Sequence, residues 1–592
     1  VPYVKHLQDK GTIDRILASA DLTFHIIDGL TLKVSGGADM SNASREVYEP
    51  KETYRGYNAN GIAEQQSRRS SSYSNENVLT YIKKIGQHSL NVMVGSSLLY
   101  EENKTGSMTA RDFISDVYGY NNLDAGAQWD KPNTGRSKST LLSGFGRINY
   151  VLMDKYLFTV TGRADGSSKF GANNKWAFFP SFAAAWRINQ EKFMKNIDWI
   201  SNLKIRGSWG VTGNQNIPAY SSPEKMNTYT YPIGGVTSVG IGAGNMPNPD
   251  LKWETTAITD IGIDLGVFNN RINFTADYYY KKTTDLLWNI SVPLTTGFGT
   301  VLKNIGSLQN KGLELSLSAD VLTGPFKWNT MLNWSTNKNK VLEIPGYIPT
   351  QQGTISGHLK VNGSWLEPGL PVGVWNLLKT NGVMRTEKEW QDAARVADSN
   401  FDKIGDMSFV DKNGDGKISF GEDRQIVGDP NPDFIFGWTN NFSYKNFDLS
   451  VYINGSVGND IYNVLRAETN IVSAWGNQRA EVKDRWTVNN PNGKYPRAHV
   501  LVNQNLLQSD YLIEDGSFLR IQNVTLGYTF PKVSFLRSLR IYATAQNLLT
   551  ITGYSGYNPE VNSQGQSNLQ LGVDYNAYPT ARSFILGVNI GF

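Results

Sequence analysis

Hydrophobic and polar side chains alternate along most of this chain with a period of two, which places successive residues on opposite faces of a sheet. At the C-terminus Phe584, Leu586, Val588, Ile590 and Phe592 share one face, and Ser583, Gly587, Asn589 and Gly591 share the other, with Ile585 the apolar exception. The same division separates Phe447, Leu449, Val451 and Ile453 from Asp448, Ser450, Tyr452 and Asn454, and Leu313, Leu315 and Leu317 from Glu314, Ser316 and Ser318. The pattern predicts paired strands over 18–27 and 30–43, 76–86 and 88–102, 138–152 and 155–165, 176–188 and 202–212, 254–267 and 271–288, and 304–319 and 326–338. Further pairs fall at 433–444 and 446–457 and at 513–530 and 537–550, with a last strand at 580–592. A soluble sandwich alternates in the same way, so the period alone does not choose an architecture.

The connections do. Within pairs they are tight, as at Asp28-Gly29, Met153-Asp154, Asn269-Asn270 and Lys445-Asn446, where Asn, Asp and Gly supply turn geometry. Between pairs the chain wanders for tens of residues, above all over 340–432 and 458–512. Tight turns on one rim and long loops on the other are the arrangement of outer-membrane barrels, whose short turns face the periplasm. Hydrocarbon offers backbone groups no hydrogen-bond partner, so a sheet in lipid must close on itself. Aromatics near predicted strand ends, Tyr278 to Tyr280, Trp328, Trp334, Tyr528 and Phe530, fit interfacial girdles. The predicted fold class is therefore all-β, a large antiparallel transmembrane barrel occupying the whole of 1–592, with long extracellular loops.

Composition is even along the 592 residues and consistent with one architecture: 12% aromatic, 19% charged and 57 glycines, with a mean hydropathy of −0.38. No apolar run approaches the roughly 20 residues a membrane helix needs. The absence of cysteine excludes disulfides, thiolate metal sites and cysteine nucleophiles. A net charge of +4, with Lys and Arg scattered, argues against nucleic acid as a partner. About 17 strands are counted, and the first and last both run toward the short-turn rim, so antiparallel closure requires an odd number of strands upstream. The opening VPYVKHLQDK has no initiator Met and no signal core, and is expected to be an interior point of a longer protein.

The segment Asp411-Lys-Asn413-Gly-Asp415-Gly416-Lys417-Ile-Ser-Phe-Gly-Glu422 has the spacing of a calcium loop, with side-chain oxygens at positions 1, 3, 5 and 12, glycine at 6, and the Lys417 carbonyl at 7. Ca2+ bound there would stiffen an extracellular loop. The competing view is a solvated turn rich in Asp and Asn. Trp365, Trp375, Trp390 and Trp475, in the two long loops, are candidates for stacking on sugar rings or peptide side chains, against the alternative of packing the loops together. Catalysis has little to stand on. His6, His25, His88, His358 and His499 show no metal-ligand spacing, and there is no Gly-x-Ser-x-Gly elbow or P-loop.

A run of short motifs then appears in order: LSGFGRINY (142–150), TGRADGSSKF (161–170), FPS (179–181), AWR (185–187), GVTGN (210–214), NPDLKWE (248–254), NKGLE (310–314), DKNGDGKI (411–418), GDPNP (428–432), DGSFLRI (515–521), AQNL (545–548), YNPE (557–560) and the terminal Gly591-Phe592. Together they make the chain resemble the SusC/RagA type of TonB-dependent outer-membrane transporter of Bacteroidetes, over nearly all its length. The resemblance implies a barrel of about 22 strands around an N-terminal plug that TonB remodels. It also implies a SusD/RagB-like lipoprotein hinged over the extracellular mouth, oligosaccharide or oligopeptide cargo, and pairing of two such complexes. The TonB box, the plug and about five strands have no counterpart in this sequence. Phe592 resembles the aromatic terminus by which barrel-assembly machinery recognises its clients. A passive porin or secretion pore would share the barrel without the plug.

Overall fold

The computed structural model describes residues 6–344, 350–351, 354–355, 361–362, 364–471, 477–501, 503–531, 535–563, 565, 569–575 and 577–592. His358 and Trp475 lie outside these residues. All 17 expected strands are present: β1 (Gln8–Ile27), β2 (Leu30–Glu49), β3 (Ile62–Ile85), β4 (His88–Phe113), β5 (Asn133–Leu152), β6 (Tyr156–Ser167), β7 (Trp176–Arg187), β8 (Ile200–Asn214), β9 (Glu254–Val267), β10 (Ile272–Thr284), β11 (Ser307–Thr323), β12 (Phe326–Ser335), β13 (Phe434–Tyr444), β14 (Phe447–Val457), β15 (Phe518–Phe530), β16 (Ser538–Thr552) and β17 (Ser583–Gly591). Two short strands the pattern did not predict, Gly126–Trp129 on β4 and Lys338–Glu343 on β11, extend the sheet.

The chain divides into two compact units. In the first, made of 1–186, 207–258 and 283–305, β1 to β7 form an antiparallel meander in which each strand pairs with the next. The second comprises 187–206, 259–282 and 306–592, and there β11 to β17 repeat the arrangement. Every tight turn named above uses left-handed backbone: Gly29 has φ 78°, Met153 and Asp154 56° and 57°, Asn269 and Asn270 58° and 59°, and Lys445 52°. At Gly29 a side chain is also excluded by space, since a Cβ would lie 2.2 Å from the Ile82 carbonyl oxygen.

The predicted faces persist across the register. Phe24, Leu32, Leu79 and Val94 follow one another from β1 to β4, as do Leu449, Leu526, Ala543 and Leu586 from β14 to β17. These side chains meet no opposing layer. Val94 is 59% exposed and Leu586 84%. In the first unit this apolar band is bounded by aromatic pairs: Tyr73–Tyr100 at one edge, and Tyr150–Phe158 and Tyr156–Trp186 at the other. From Tyr100 to Leu90 is about 33 Å along a strand, or about 25 Å of height at barrel tilt, the thickness of an outer-membrane apolar belt. The strands of up to 26 residues run on well past this belt, away from the tight turns.

Over their described residues the long connections fold into a core of their own. In the second unit Trp375, Leu377, Leu378, Met407, Phe409 and Ile418 from one loop pack with Tyr462, Val464, Leu507 and Leu512 from another, and with Val573 from a third segment between β16 and β17. Alternation cannot reveal such a core, because its contacts join residues far apart in sequence.

Candidate functional site

On the polar face of the second unit, β8, β9 and β10 bring five charges together. Arg206 reaches Asp277 at 2.6 Å, Asp260 at 3.2 Å and Asp264 at 3.4 Å, and Lys204 holds Asp264 at 2.6 Å. Gly262 makes room for this knot, because a Cβ there would sit 2.1 Å from Asp277 Oδ1. Further along the same face, Arg540 grips Asp448 through two hydrogen bonds, opposite Gly527. Paired charges of this kind are tolerated only where water or polar groups reach them.

Near Asp277 the polar face and the folded loops border an open cavity of about 890 Å3. Its wall side carries Thr275, Asp277, Glu314, Ser316, Asn333, Tyr452 and Asn454, and its loop side Pro430, Pro432, Asn459, Glu560 and Asn562. Among the described residues the lining holds three acids and no Lys or Arg. Two of those acids are engaged, Asp277 by Arg206 and Glu560 by Arg520. The remainder mixes hydroxyl, amide and aromatic groups with aliphatic side chains such as Leu315, Ile435, Ile461, Val561 and Leu571, a surface able to hydrogen-bond neutral polar ligands and unfavourable to anions.

Several of the ordered motifs converge to hold loops in place. Arg520, 4% exposed, binds Thr550 Oγ1 at 2.9 Å, Asn558 Oδ1 at 2.7 Å and the Glu560 carboxylate, joining DGSFLRI to YNPE. The Asp429 N–H donates to Asp460 Oδ2 and the Asp460 N–H to the Asp429 carbonyl, both at 2.8 Å, clasping GDPNP to the next loop. Burial, and the nearby carboxylates of Asp429 and Asp515, raise the Asp460 carboxyl above its ordinary range. In the first unit Phe170, Phe179, Leu251 and Trp253 form one cluster, with Trp253 4.8 Å from Phe170 and 5.5 Å from Phe179, and its indole N–H donating to the Lys175 carbonyl.

The Asp411 segment is an exposed turn whose acceptors are occupied by its own backbone. Asp411 takes the N–H groups of Gly414 and Gly416, each at 2.7 Å, Asn413 takes that of Asp415, and Asp415 that of Lys417. The Asn413 amide faces Asp415 and Glu422. Among the described residues no three or more Asp, Glu or His side chains stand grouped as a metal set; Asp411, Asn413, Asp415, Lys417 and Glu422 share this one turn, in which the Asp and Asn oxygens each accept from backbone N–H groups. The carboxylate that closes the loop is the fully buried Asp423, which accepts from the Lys412 and Ser419 N–H groups at 2.9 and 2.7 Å. Of the two alternatives for the tryptophans, the described ones take the packing role. Trp375 is fully buried against Tyr462, Trp365 lies under the Arg424 guanidinium, and Trp390 donates to Asp402 beneath Arg395; all three pack the loops.

Residues 3–548 match the family model described as TonB dependent receptor-like, beta-barrel. The chain belongs to this family. It is 35% identical to the TonB-dependent receptor P3 of Formosa agariphila, covering 99% of this chain and 58% of that protein. It is 32% identical to the TonB-dependent receptor SusC of Bacteroides thetaiotaomicron, covering 99% and 56%. The chain thus spans little more than half the length of these relatives. A solved RagAB peptide transporter matches its fold with a TM-score of 0.85 at 24% identity, over 100% of this chain and 63% of that one. The protein is accordingly an outer-membrane receptor barrel of SusC/RagA type. Its apolar belt faces lipid, and the charge knot and the cavity belong to the lumen face. Sequence reasoning singled out neither Arg206 nor Asp423. The signal for Arg206 was a basic residue in phase with the polar face of β8, opposite Asp260, Asp264 and Asp277 in phase on β9 and β10.

Proposed function

We propose that this chain forms the wall of an energy-coupled importer that moves oligosaccharides or oligopeptides into the periplasm. A SusD/RagB-like surface lipoprotein would serve as its lid, and TonB would act through an N-terminal part of the protein. The observation that carries the reading is the lumen cavity. Hydroxyl, amide, aromatic and aliphatic groups, with no lysine or arginine among the described lining residues, suit uncharged sugars and peptides, and disfavour phosphorylated or carboxylate-rich cargo. Kinship to SusC and likeness to a RagAB peptide transporter support the same class of cargo and the same style of partner. The barrel's own part is to bind, orient and exclude bulk lipid and water; no bond of the cargo is made or broken.

The test is uptake of labelled neutral oligosaccharides and oligopeptides by cells with and without the full-length gene, before and after the proton gradient is collapsed. Uptake that needs both the gene and the gradient is expected. Uptake that survives collapse of the gradient would identify a passive porin or secretion pore instead. Affinity capture of the full-length protein is expected to bring down a surface lipoprotein from the same membrane, and a second copy of the pair.

A further inference from the structure

The outward face of the first unit carries a basic cluster just beyond the aromatic edge of the lipid belt. Arg69 on β3 is in register with Lys104 on β4, and Lys104 with Arg136 on β5. One row nearer the membrane, Lys138 lies across from Glu102. The next row is Tyr73–Tyr100–Thr140, and below it come Leu98 and Leu142. All these residues have the same strand parity, so they share one face. That face is the lipid-facing one, because Leu79, Val94, Leu98 and Ile148 are its exposed apolar members. Arg69 and Arg136 lie four residues past Tyr73 and Thr140, about 13 Å along the strand and about 10 Å higher at barrel tilt, the depth of outer-leaflet headgroups.

Four cations stand here against one acid between them. Glu102 bonds Arg136 at 2.6 Å and lies 3.6 Å from Lys104, while Asp14 closes the far end of the top row beyond Asn42. Side chains of Lys104 and Arg136 remain half-exposed despite these contacts, and Arg69 is exposed. Repulsion among like charges in adjacent register is unfavourable unless an anion shares them. Guanidinium groups at this spacing match phosphate oxygens in forked geometry.

We infer that Arg69, Lys104, Arg136 and Lys138 form a docking site on the outer wall of the barrel for the phosphorylated headgroup of an outer-leaflet glycolipid. The continuity of the cluster with the apolar belt and the Tyr73–Tyr100 pair selects a lipid, because acyl chains belonging to such a headgroup lie directly against Leu98 and Leu142.

The experiment is native mass spectrometry of the full-length detergent-purified protein, titrated with phosphorylated lipid A, with enzymatically dephosphorylated lipid A, and with millimolar inorganic phosphate as competitor. Lipid A is expected to bind about tenfold or more tightly than its dephosphorylated form and to weaken with added salt. The Arg69→Gln, Lys104→Gln, Arg136→Gln triple variant should lose that preference. A variant keeping charge, Arg69→Lys with Arg136→Lys, should retain most of it. Arg68→Gln, one residue along and facing the lumen, should leave it unchanged. Equal binding of the two lipids by the unmodified protein overturns the inference, and so does a triple variant that still discriminates. Phosphate displacing lipid A completely would assign the cluster to a soluble anion and overturn it too. If the triple variant fails to assemble, the lipid comparison on the unmodified protein and the charge-keeping variant decides.

Discussion

Val94→Arg puts a guanidinium into the middle of the lipid-facing belt. Val94 is 59% exposed, flanked in register by Leu79 and Gly146, and hydrogen-bonded through its strand on both sides, so the strand cannot fray to release the new charge. It lies six residues from Tyr100 at one aromatic edge and four from Leu90, the register partner of Tyr150, at the other. At such depth an outward arginine costs about 2–4 kcal/mol of barrel stability, and the penalty falls to about 0–1 kcal/mol near either interface. Leu98→Arg, two residues from Tyr100, therefore belongs at the low end. Ser450→Arg faces the lumen in a recess of about 470 Å3 shared with Asp320 and Asp448, and is expected to cost under about 1 kcal/mol. The assay is equilibrium guanidinium unfolding of the full-length protein in phospholipid vesicles, followed by tryptophan fluorescence. The ranking Val94 well above Leu98 and Ser450 is expected. Equal losses at Val94 and Ser450, or no loss at Val94, would refute the face assignment.

Arg520→Gln removes the buried cation that joins Asn558 and Glu560 to β15, and is expected to cost roughly 2–4 kcal/mol in the loop layer, read as faster proteolysis between 553 and 582. Trp253→Ala empties the cluster against Phe170 and Phe179 and should cost about 3–5 kcal/mol, measured by the same unfolding assay. Asp460→Asn keeps an oxygen for the Asp429 N–H but removes a charge that burial disfavours. Because the folded carboxyl is raised, its stabilising effect is present below the ordinary carboxylate range and is lost as the pH rises through the raised value. The variant should consequently be as stable as the parent, or more so, at pH 7, and should flatten the pH dependence of loop melting above pH 4; a large loss at pH 7 would contradict this. The Asp411 turn supplies its own donors, so EDTA or added Ca2+ should shift the melting temperature by less than about 1 °C. A calcium-dependent rise of several degrees would show that its oxygens turn from backbone amides to a cation.

The wall was legible because lipid imposes a rule on every residue of a spanning strand, and Phe584 to Phe592 or Phe447 to Ile453 obey it one residue at a time. Strand lengths were not, since β3 and β4 continue past the belt into water, where Arg69, Ser71, Glu102 and Lys104 stand on the outward face in place of apolar residues and end the alternation. The loop layer was illegible for a different reason. Contacts such as the Tyr462 hydroxyl to the Leu507 carbonyl, or Leu378 bridged to Ser509, join short apolar pieces with no period of their own. Trp375 illustrates the consequence: an aromatic in a long loop suits either a ligand platform or, more often, a core, and only its neighbours decide. Motifs such as FLRI and YNPE were visible as strings, whereas their shared purpose depends on Arg520 pointing across to Asn558 and Glu560.

The most direct test of a lipid-embedded wall is a nitroxide scan along β4. These 592 residues contain no cysteine, so within them single cysteines introduced at 90–106 would be the only labelling sites. In full-length protein reconstituted in bilayers, collision with oxygen should peak at 92, 94, 96 and 98 and collision with a polar nickel chelate at 93, 95, 97 and 99. The alternation should vanish beyond 102. Equal accessibility of both parities to the aqueous reagent across 92–98 would contradict the account.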